Sequence, residues 1–194
     1  MDDQQLIEQI RNGEEPAIRI LVDRYQSRIL RTARGFVRND EDARDITQEV
    51  LIDIIRNIHK FRFQSGLNTW IYRITVNQSL NYLRNNKKRS NTINIDQSDE
   101  NTPGAVTRNL PDQGQLDPGE HMEQSDRSRT LHAAIESIPE KQRTAFVLYE
   151  YDDLSYKEIS EVMNVSIPSV ESLLFRARKN LQKKLWHCYK KTRT

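Results

Sequence analysis

The stretch "LSYKEISEVMNVSIPSVESLLFRARKNL", residues 154–181, decides the fold. Its Ser155-x-x-Glu158 pattern is a capping box, which predicts the start of a short amphipathic helix. The tripeptide Asn-Val-Ser at 164–166 predicts a tight turn that ends on a second N-cap residue. A longer helix is expected to follow, from Ile167 to about Leu185. A short helix, a three-residue turn and a longer helix together predict a helix-turn-helix.

The longer helix has two different faces. Its buried stripe is predicted to contain Val170, Leu174, Ala177, Leu181 and Leu185, and its outer face Ser169, Ser172, Arg176, Lys179 and Lys183. From Glu171 to Thr194 there are eight basic residues and one acidic residue, a balance of +7. Basic charge on one helix of a helix-turn-helix is typical of DNA binding. The alternative is a helical hairpin with a solvated basic face.

A second informative stretch, "TWIYRITVNQSLNYLRNNKKR" at 69–89, is expected to form one helix. Trp70, Arg73, Asn77, Asn81 and Arg84 fall within an arc of roughly 80° on a helical projection, and Tyr72, Val76, Leu80 and Leu83 form the predicted buried stripe. An aromatic ring can stack on an unpaired base, amides can bond base edges, and arginines can hold phosphates. The alternative places Trp70 in the core, with solvated amides and a basic helix end that complements the helix dipole.

The remaining sequence predicts an all-α fold. Apolar residues recur at helical spacing at Leu6, Ile10, Ala17, Leu21, Tyr25, Ile29, Ala33 and Phe36, and again at Ile46, Val50, Ile54 and Ile58. The N-terminal part therefore has about four helices. Charged residues make up 30% of the chain and the mean hydropathy is −0.82, which is polar for one compact domain of 194 residues. Two small helical domains joined by a linker account for this composition better.

The expected linker covers residues 89–126 and separates a domain at 1–88 from a domain at 127–190. It holds eight acidic residues against Arg89 and Arg108, a balance of −6, and three of the six prolines. Such a segment cannot bury enough apolar surface to order itself, so a flexible acidic linker is predicted. We hypothesise that its charge mimics nucleic acid.

Several classes of function are disfavoured by composition. The single cysteine, Cys188, allows no disulfide within the chain, and the acidic N-terminus has no signal-peptide pattern, so a cytoplasmic protein without membrane insertion is expected. The four histidines are scattered, and there is no Gly-rich phosphate loop. We therefore expect no enzymatic activity, no metal, no cofactor and no small-molecule substrate.

These motifs together resemble a bacterial sigma factor of the ECF (extracytoplasmic function) subgroup. Similar to sigma region two are Asp45-Ile-Thr-Gln48-Glu49-Val, Lys60-Phe61-Arg62 and Thr69-Trp70-Ile-Tyr72-Arg73-Ile-Thr-Val-Asn77, and similar to region four are residues 154–159 and 169–178. Both occur in this order across nearly the whole chain. The resemblance implies an alternative sigma factor that binds core RNA polymerase, recognises promoter DNA, melts the minus-ten element and is held inactive by an anti-sigma factor.

The resemblance also implies roles for individual residues. The residues expected on the polymerase, at the β′ clamp helices, are Asp45, Gln48, Glu49 and Asp53, while region four would meet the β flap. Minus-ten contacts are expected from Arg62, Trp70, Arg73, Asn77, Asn81, Tyr82, Arg84, Lys87 and Lys88, beside a loop, "RFQSGLN", that would hold a flipped base. Minus-thirty-five contacts are expected from Ser169, Ser172, Phe175, Arg176 and Lys179. Tyr149 and Glu171 stand where several relatives have Arg, so the minus-thirty-five sequence cannot be copied from them.

Two alternative functions remain open at this point. The first is a helix-turn-helix regulator that does not bind core polymerase; it needs a ligand pocket or a dimer surface in its N-terminal domain. The second is an enzyme that acts on nucleic acid, which the scattered histidines disfavour.

Overall fold

The computed structural model describes residues 1–95 and 128–191, with side chains described to residue 87 and from 128 to 186. The helices are α1 (Asp3–Arg11), α2 (Glu15–Phe36), α3 (Asp40–Asn57), a 3₁₀ turn (Ile58–Lys60), α4 (Leu67–Ile95), α5 (described over 128–136), α6 (Glu140–Glu150), α7 (Tyr156–Met163) and α8 (Ile167–Lys191). Regular structure within these ranges is helical throughout, which confirms the all-α prediction. None of these helices has the length and apolar character that crossing a membrane requires.

Local sequence explains where the helices begin and end. Asp2 and Asn39 cap α1 and α3, since their side chains accept hydrogen bonds from the backbone N–H groups of Gln5 and Asp42. The capping box at Ser155 is present with both of its hydrogen bonds. Asn164 ends α7 in the left-handed conformation at φ 53°, as Asn tolerates better than most residues. The predicted helix-turn-helix geometry is therefore confirmed.

The apolar periodicity of the N-terminal helices also predicts their buried faces correctly. All twelve residues named for α1, α2, α3 and the 3₁₀ turn are at most 6% exposed. On α8, Val170, Leu174, Ala177 and Leu181 are buried as expected, whereas Leu185 is half-buried. The helix continues to Lys191, beyond the predicted end.

The buried face of α4 differs from the expected stripe. Tyr72 and Val76 are buried, but Leu80 and Leu83 are only half-buried. The most buried positions include Thr75 and Ser79, at 1% and 0% exposure. Both are small polar side chains, which the apolar pattern of the sequence does not predict to be buried. Thr75 is satisfied by donating its hydroxyl to the carbonyl of Ile71, one turn earlier.

The two halves of the chain pack together. One hydrophobic cluster includes core residues of α1–α4 and also residues of α6, α7 and α8. A close approach of α2 and α6 is possible because position 35 is glycine; a methyl group there would lie 2.4 Å from Cγ1 of Val147. At the same boundary Thr32 donates its hydroxyl to Asp152 at 2.8 Å, and Arg38 pairs with Glu136 at 2.5 Å. Tertiary packing therefore joins the two groups of helices that the sequence separates.

The expected domain limits stay predictions. Helix α4 continues to Ile95 and so extends past the expected boundary at residue 88. Most of the acidic linker, including its hypothesised role as a nucleic-acid mimic, falls on residues 96–127 and lies outside the described residues.

Candidate nucleic-acid interfaces

The outer face of α8 presents a row of exposed side chains. Ser172, Phe175, Arg176 and Lys179 are all exposed, and Phe175 exposes 68% of its surface although it is aromatic. Ser169 is half-buried, and its hydroxyl lies 2.8 Å from the hydroxyl of Ser166. Helix α7 and the turn hold α8 in the position of a recognition helix. The structure therefore brings together the residues that the sequence named for the minus-thirty-five element.

Not every basic residue of α8 belongs to this row. The guanidinium of Arg178 lies 5.0 Å from the ring centre of Tyr149 and 3.3 Å from a carboxylate oxygen of Glu150. Tyr149 is half-buried and packs against Tyr156, with ring centres 5.6 Å apart. Arg178 thus contacts α6, whereas Arg176 projects toward solvent.

The arc on α4 is partly covered by the C-terminal helices. The guanidinium of Arg73 donates to the backbone carbonyls of Glu161 and Val162, at 2.6 and 3.2 Å. Arg84 makes a bidentate pair with Glu140, at 3.0 and 2.7 Å. The hydrogen bond to Glu140 raises the pKa of Arg84 and lowers that of Glu140. These cations therefore meet oxygen atoms of α6 and α7.

The amides of the arc are accessible to solvent. Asn77 and Asn81 are exposed, and Asn77 lies at the edge of a cavity of about 580 Å³ between α4 and the helix-turn-helix. Arg62 and Lys87 are exposed as well. The side chain of Lys88 lies outside the described residues.

Two predicted minus-ten residues are placed differently from the rest. Trp70 is half-buried, and its ring centre lies 5.2 Å from that of Phe61. Tyr82 lies against α3; its burial raises its pKa, as does the hydrogen bond that its side chain makes with Asp42. The sequence projection placed Trp70 on the arc, but only tertiary packing shows that much of its ring supports the loop before α4.

That loop contains an exposed aromatic residue that the sequence analysis did not single out. Phe63 is 50% exposed and has a left-handed backbone at φ 55°, which is strained for a side chain of its size. Its ring contacts Phe61, with ring centres 5.0 Å apart. The sequence feature that could have identified Phe63 is its position inside "RFQSGLN", the loop expected to hold a flipped base.

Helix α3 carries a separate exposed face. Asp45, Gln48 and Glu49 are exposed at helical spacing, as predicted. Ile52, which the sequence analysis missed, continues the face with 39% exposure. Asp53 instead turns toward α4, where its carboxylate accepts a hydrogen bond from the side-chain amide of Gln78. An acidic and amide face with one exposed apolar residue suits a basic protein surface.

A buried carboxylate lies between the two halves of the chain. The side chain of Asp152 is fully buried and is bonded by Thr32, with Arg31 3.4 Å away. Burial raises its pKa from 3.8 to about 6, which the hydrogen bond from Thr32 and the charge of Arg31 partly oppose. Burial, with the charge of Asp152 nearby, raises the pKa of Tyr72 to about 12. Across the described side chains, no cluster of three or more His, Cys, Asp and Glu is arranged to hold a metal ion.

Comparison with known families agrees with this geometry. The model of the family "Sigma-70 region 2" matches residues 21–89, and that of "Sigma-70, region 4" matches residues 128–181. The first match contains α3 and the arc on α4, and the second contains the helix-turn-helix.

Several curated relatives match nearly the full length. The chain is 32% identical over 185 residues to the RNA polymerase sigma-H factor of Pseudomonas aeruginosa, covering 94% of this chain and 93% of the relative. It is 32% identical over 187 residues to the ECF RNA polymerase sigma-E factors of Haemophilus influenzae and Escherichia coli. Those matches cover 95% of this chain, and 96% and 95% of the two relatives.

Two solved structures share the fold at lower identity. CnrH, solved in complex with the cytosolic domain of CnrY, is 20% identical with a TM-score of 0.64 over 94% of this chain and 96% of CnrH. The sigma factor RpoE of Bartonella quintana, solved with the anti-sigma factor NepR, is 20% identical with a TM-score of 0.54 over 86% of this chain and 95% of RpoE.

Proposed function

The chain belongs to the ECF RNA polymerase sigma factors, and on this premise we propose that it directs core polymerase to promoters with the surfaces described above. Residues 1–88 would bind polymerase and melt the minus-ten element, and residues 127–190 would read the minus-thirty-five element across the linker at 89–126. Sigma factors are transcription initiation factors, so the work is binding rather than bond chemistry. The observation that carries the proposal is the exposed row on α8, on a helix-turn-helix whose apolar residues Ile159, Val170 and Leu174 are buried.

Recognition of the minus-thirty-five element is assigned to this row. Ser172, Phe175 and Arg176 would enter the major groove, since Arg can bond guanine with two hydrogen bonds and apolar side chains contact the thymine methyl group. Lys179 would hold a phosphate. Ser169 would contribute at the start of the helix.

Melting of the minus-ten element is assigned to α4 and the loop before it. Asn77 and Asn81 offer donors and acceptors to an unpaired base, and Arg62, Arg73, Arg84 and Lys87 offer charge to the backbone. Extrusion of a base costs a few kcal/mol, which these contacts would offset. Trp70 would act mainly through the loop that it supports.

Polymerase binding is assigned to the exposed face of α3. Asp45, Gln48 and Glu49 would meet a basic helical partner, the β′ clamp helices, while the C-terminal helices would meet the β flap. Charge complementarity of this kind sets orientation and association rate more than affinity. The half-buried Asp53 would contribute least.

Two further features follow from the family. An anti-sigma factor is proposed to hold the chain inactive, as a bound anti-sigma factor is named for the Bartonella quintana neighbour. The chain would work in the cytoplasm, where core polymerase acts. The alternative, a regulator that does not bind core polymerase, has no comparable support.

The test is run-off transcription with purified core polymerase and promoter DNA. Arg176→Ala should reduce transcription from a promoter that depends on its minus-thirty-five element by about tenfold, the size of one lost base contact. Arg178→Ala is the matched control: it removes the same charge from the same helix, but its guanidinium contacts Tyr149 and Glu150. Equal losses in both variants would mean that only net charge matters.

A second arm tests the polymerase surface. Glu49→Ala should slow association with core polymerase, and Asp23→Ala, an exposed acid on α2, is the control with the same charge change. A parent chain that does not bind core polymerase at all would support the regulator instead.

A further inference from the structure

The loop between α3 and α4 is held in a strained form by a distant residue. Phe63 adopts its left-handed backbone while half of its surface faces solvent. Such conformations persist only where surrounding contacts over-determine them. The neighbouring Phe61 is buried and anchors one side of the loop against Trp70.

Arg11, at the end of α1, supplies the remaining contacts. Its guanidinium donates to the backbone carbonyl of Phe61 at 2.5 Å and to that of Ile58 at 3.3 and 3.4 Å. The same guanidinium lies 5.8 Å from the ring centre of Phe63, within cation–π range. One side chain therefore fixes two backbone points of the loop and one side of its exposed ring.

We propose that Arg11 is a positioning residue for base recognition: it holds the loop so that Phe63 presents its ring to an unpaired base of the melted strand. The inference rests on the proposed function, because the loop must meet that strand. A planar guanidinium is needed, since it can donate to two carbonyls and lie near a ring at once. An ammonium group cannot fill the same three roles.

The test measures the contribution of each minus-ten base rather than activity alone, because stacking on an aromatic ring tolerates all four bases. Run-off transcription by holoenzyme would use promoters in which one base of the melted strand at a time is replaced by an abasic site. At one position the abasic site should cost the parent about tenfold, the size of one lost stacking contact, and should cost Arg11→Ala little. Arg11→Lys should behave like Arg11→Ala. Arg24→Ala is the control, because Arg24 bonds Asp3 at the start of α1 and the carbonyl of Met1 before it, and not the loop.

A double-substitution cycle with Phe63→Ala tests whether Arg11 acts through Phe63. If it does, adding Arg11→Ala to Phe63→Ala should change the effect of the abasic site no further. A fall in transcription that leaves the effect of every abasic site as in the parent would show a purely structural role and overturn the proposal. A parent that binds core polymerase but is insensitive to an abasic site at every minus-ten position would overturn contact with the melted strand, and so both proposals.

A different set of contacts carries a second inference. Arg73 and Arg84, two cations proposed for the promoter backbone, are bonded to carbonyl and carboxylate oxygens of α6 and α7. Asn77 lies beside the same helices. The buried bond between Thr32 and Asp152 and the close packing at Gly35 hold these helices in place.

We infer that the free chain masks its own minus-ten surface, and that its C-terminal helices must move away before α4 can meet DNA. The oxygens of Glu140 and of the α7 backbone lie where phosphate oxygens would have to lie. Protein and DNA therefore compete for the same guanidinium groups. In the closed form the C-terminal helices lie over α4, and in the open form they have moved away from it. The measured affinity for DNA is then the intrinsic affinity multiplied by the fraction of chains in the open form.

The test uses the full chain and a fluorescent single strand with the minus-ten sequence. The substitution Glu140→Gln removes the carboxylate that pairs with Arg84 in the closed form without changing any residue assigned to DNA. Anisotropy should show binding about fivefold tighter than in the charge-matched control Glu161→Gln. Both positions are exposed, Glu140 on α6 and Glu161 on α7.

Equal affinities of Glu140→Gln and Glu161→Gln would show that the C-terminal helices do not inhibit binding and would overturn the inference. Glu140 is exposed in the first turn of α6, so its substitution should leave the fold intact. Gly35→Ala, whose added methyl group would push α2 away from α6, is a second variant that should tighten binding as well.

Discussion

Substitution of Gly35 by alanine should shift the chain toward the open form, in which α6 has moved away from α2, and should also stabilise α2, the helix that contains position 35. The added methyl group would lie 2.4 Å from Cγ1 of Val147 and 3.2 Å from Cγ of Tyr151. Carbon atoms in optimal contact are about 3.5–4.0 Å apart, so the first distance requires movement. Val147 is β-branched and fully buried, which leaves its side chain little freedom to turn away. Helices α2 and α6 must therefore separate.

The expected magnitude follows from two opposing effects. Alanine favours helix over glycine by about 0.5–1 kcal/mol, which stabilises α2 equally whether the chain is open or closed. Overpacking of a buried contact costs about 1–3 kcal/mol and acts only on the closed form. The closed-to-open ratio should therefore fall by about 5- to 150-fold.

The assay is energy transfer between dyes on exposed positions Gln4 and Gln182, in a chain with Cys188→Ser. Gly35→Ala should lower the closed fraction, whereas Gly66→Ala should leave it unchanged, because its nearest neighbour would be Thr69 Oγ1 at 4.0 Å. Thermal unfolding of the same variants reports the effect on helix stability. If Gly35→Ala only raised the melting temperature and left the closed fraction intact, the packing of α2 on α6 would be refuted.

Three other predictions concern single residues. Because burial raises the pKa of Asp152 from 3.8 to about 6, the closed form binds a proton more tightly than the open form. The stability of the closed form relative to the open form should therefore be greatest below about pH 4. It should fall by up to about 3 kcal/mol as the pH rises through 6. Other ionisable groups lie around this carboxylate, namely Arg28, Arg31, Tyr72, Asp153 and Glu158. To separate their effect, energy transfer should be measured against pH in the parent and in Asp152→Asn, in which the closed fraction should depend less on pH. Ser155→Ala removes the cap of α7 and should lower unfolding stability by about 1 kcal/mol in calorimetry, with no effect on polymerase affinity. Asn77→Ala should slow open-complex formation, followed by permanganate footprinting, while core binding is retained; a loss of core binding would assign Asn77 a structural role.

Much of this architecture could be read from the sequence because it depends on local rules. The capping box at Ser155, the left-handed Asn164 and the four-residue spacing of Ile46, Val50, Ile54 and Ile58 act within a few turns of chain. Such signals specify helices, their ends and the face that each buries. The outer face of α8 followed from the same periodicity, whereas the polar face of α3 was implied by the family resemblance.

Tertiary packing decided what a helical projection could not. Whether Trp70 faced solvent, and which way Asp53 and Tyr82 turned, depended on neighbouring helices that lie far away in the chain. Thr75 and Ser79 are polar, so their burial on α4 depends on how the neighbouring helices pack and not on the apolar pattern of the sequence. Arg11 reaches a loop about fifty residues later in the chain, a pairing for which helical periodicity carries no signal.

The sequence by itself determined that this protein has two helical units, one of them a helix-turn-helix with a basic outer face. Only the tertiary structure decided that these units share a core and that α6 and α7 lie over the arginines of α4. The physical reason is the distance along the chain over which each effect acts. Propensity, capping and amphipathic spacing act over a few residues, whereas the fit of Val147 against Gly35 and of Asp152 against Thr32 exists only when both surfaces are already formed.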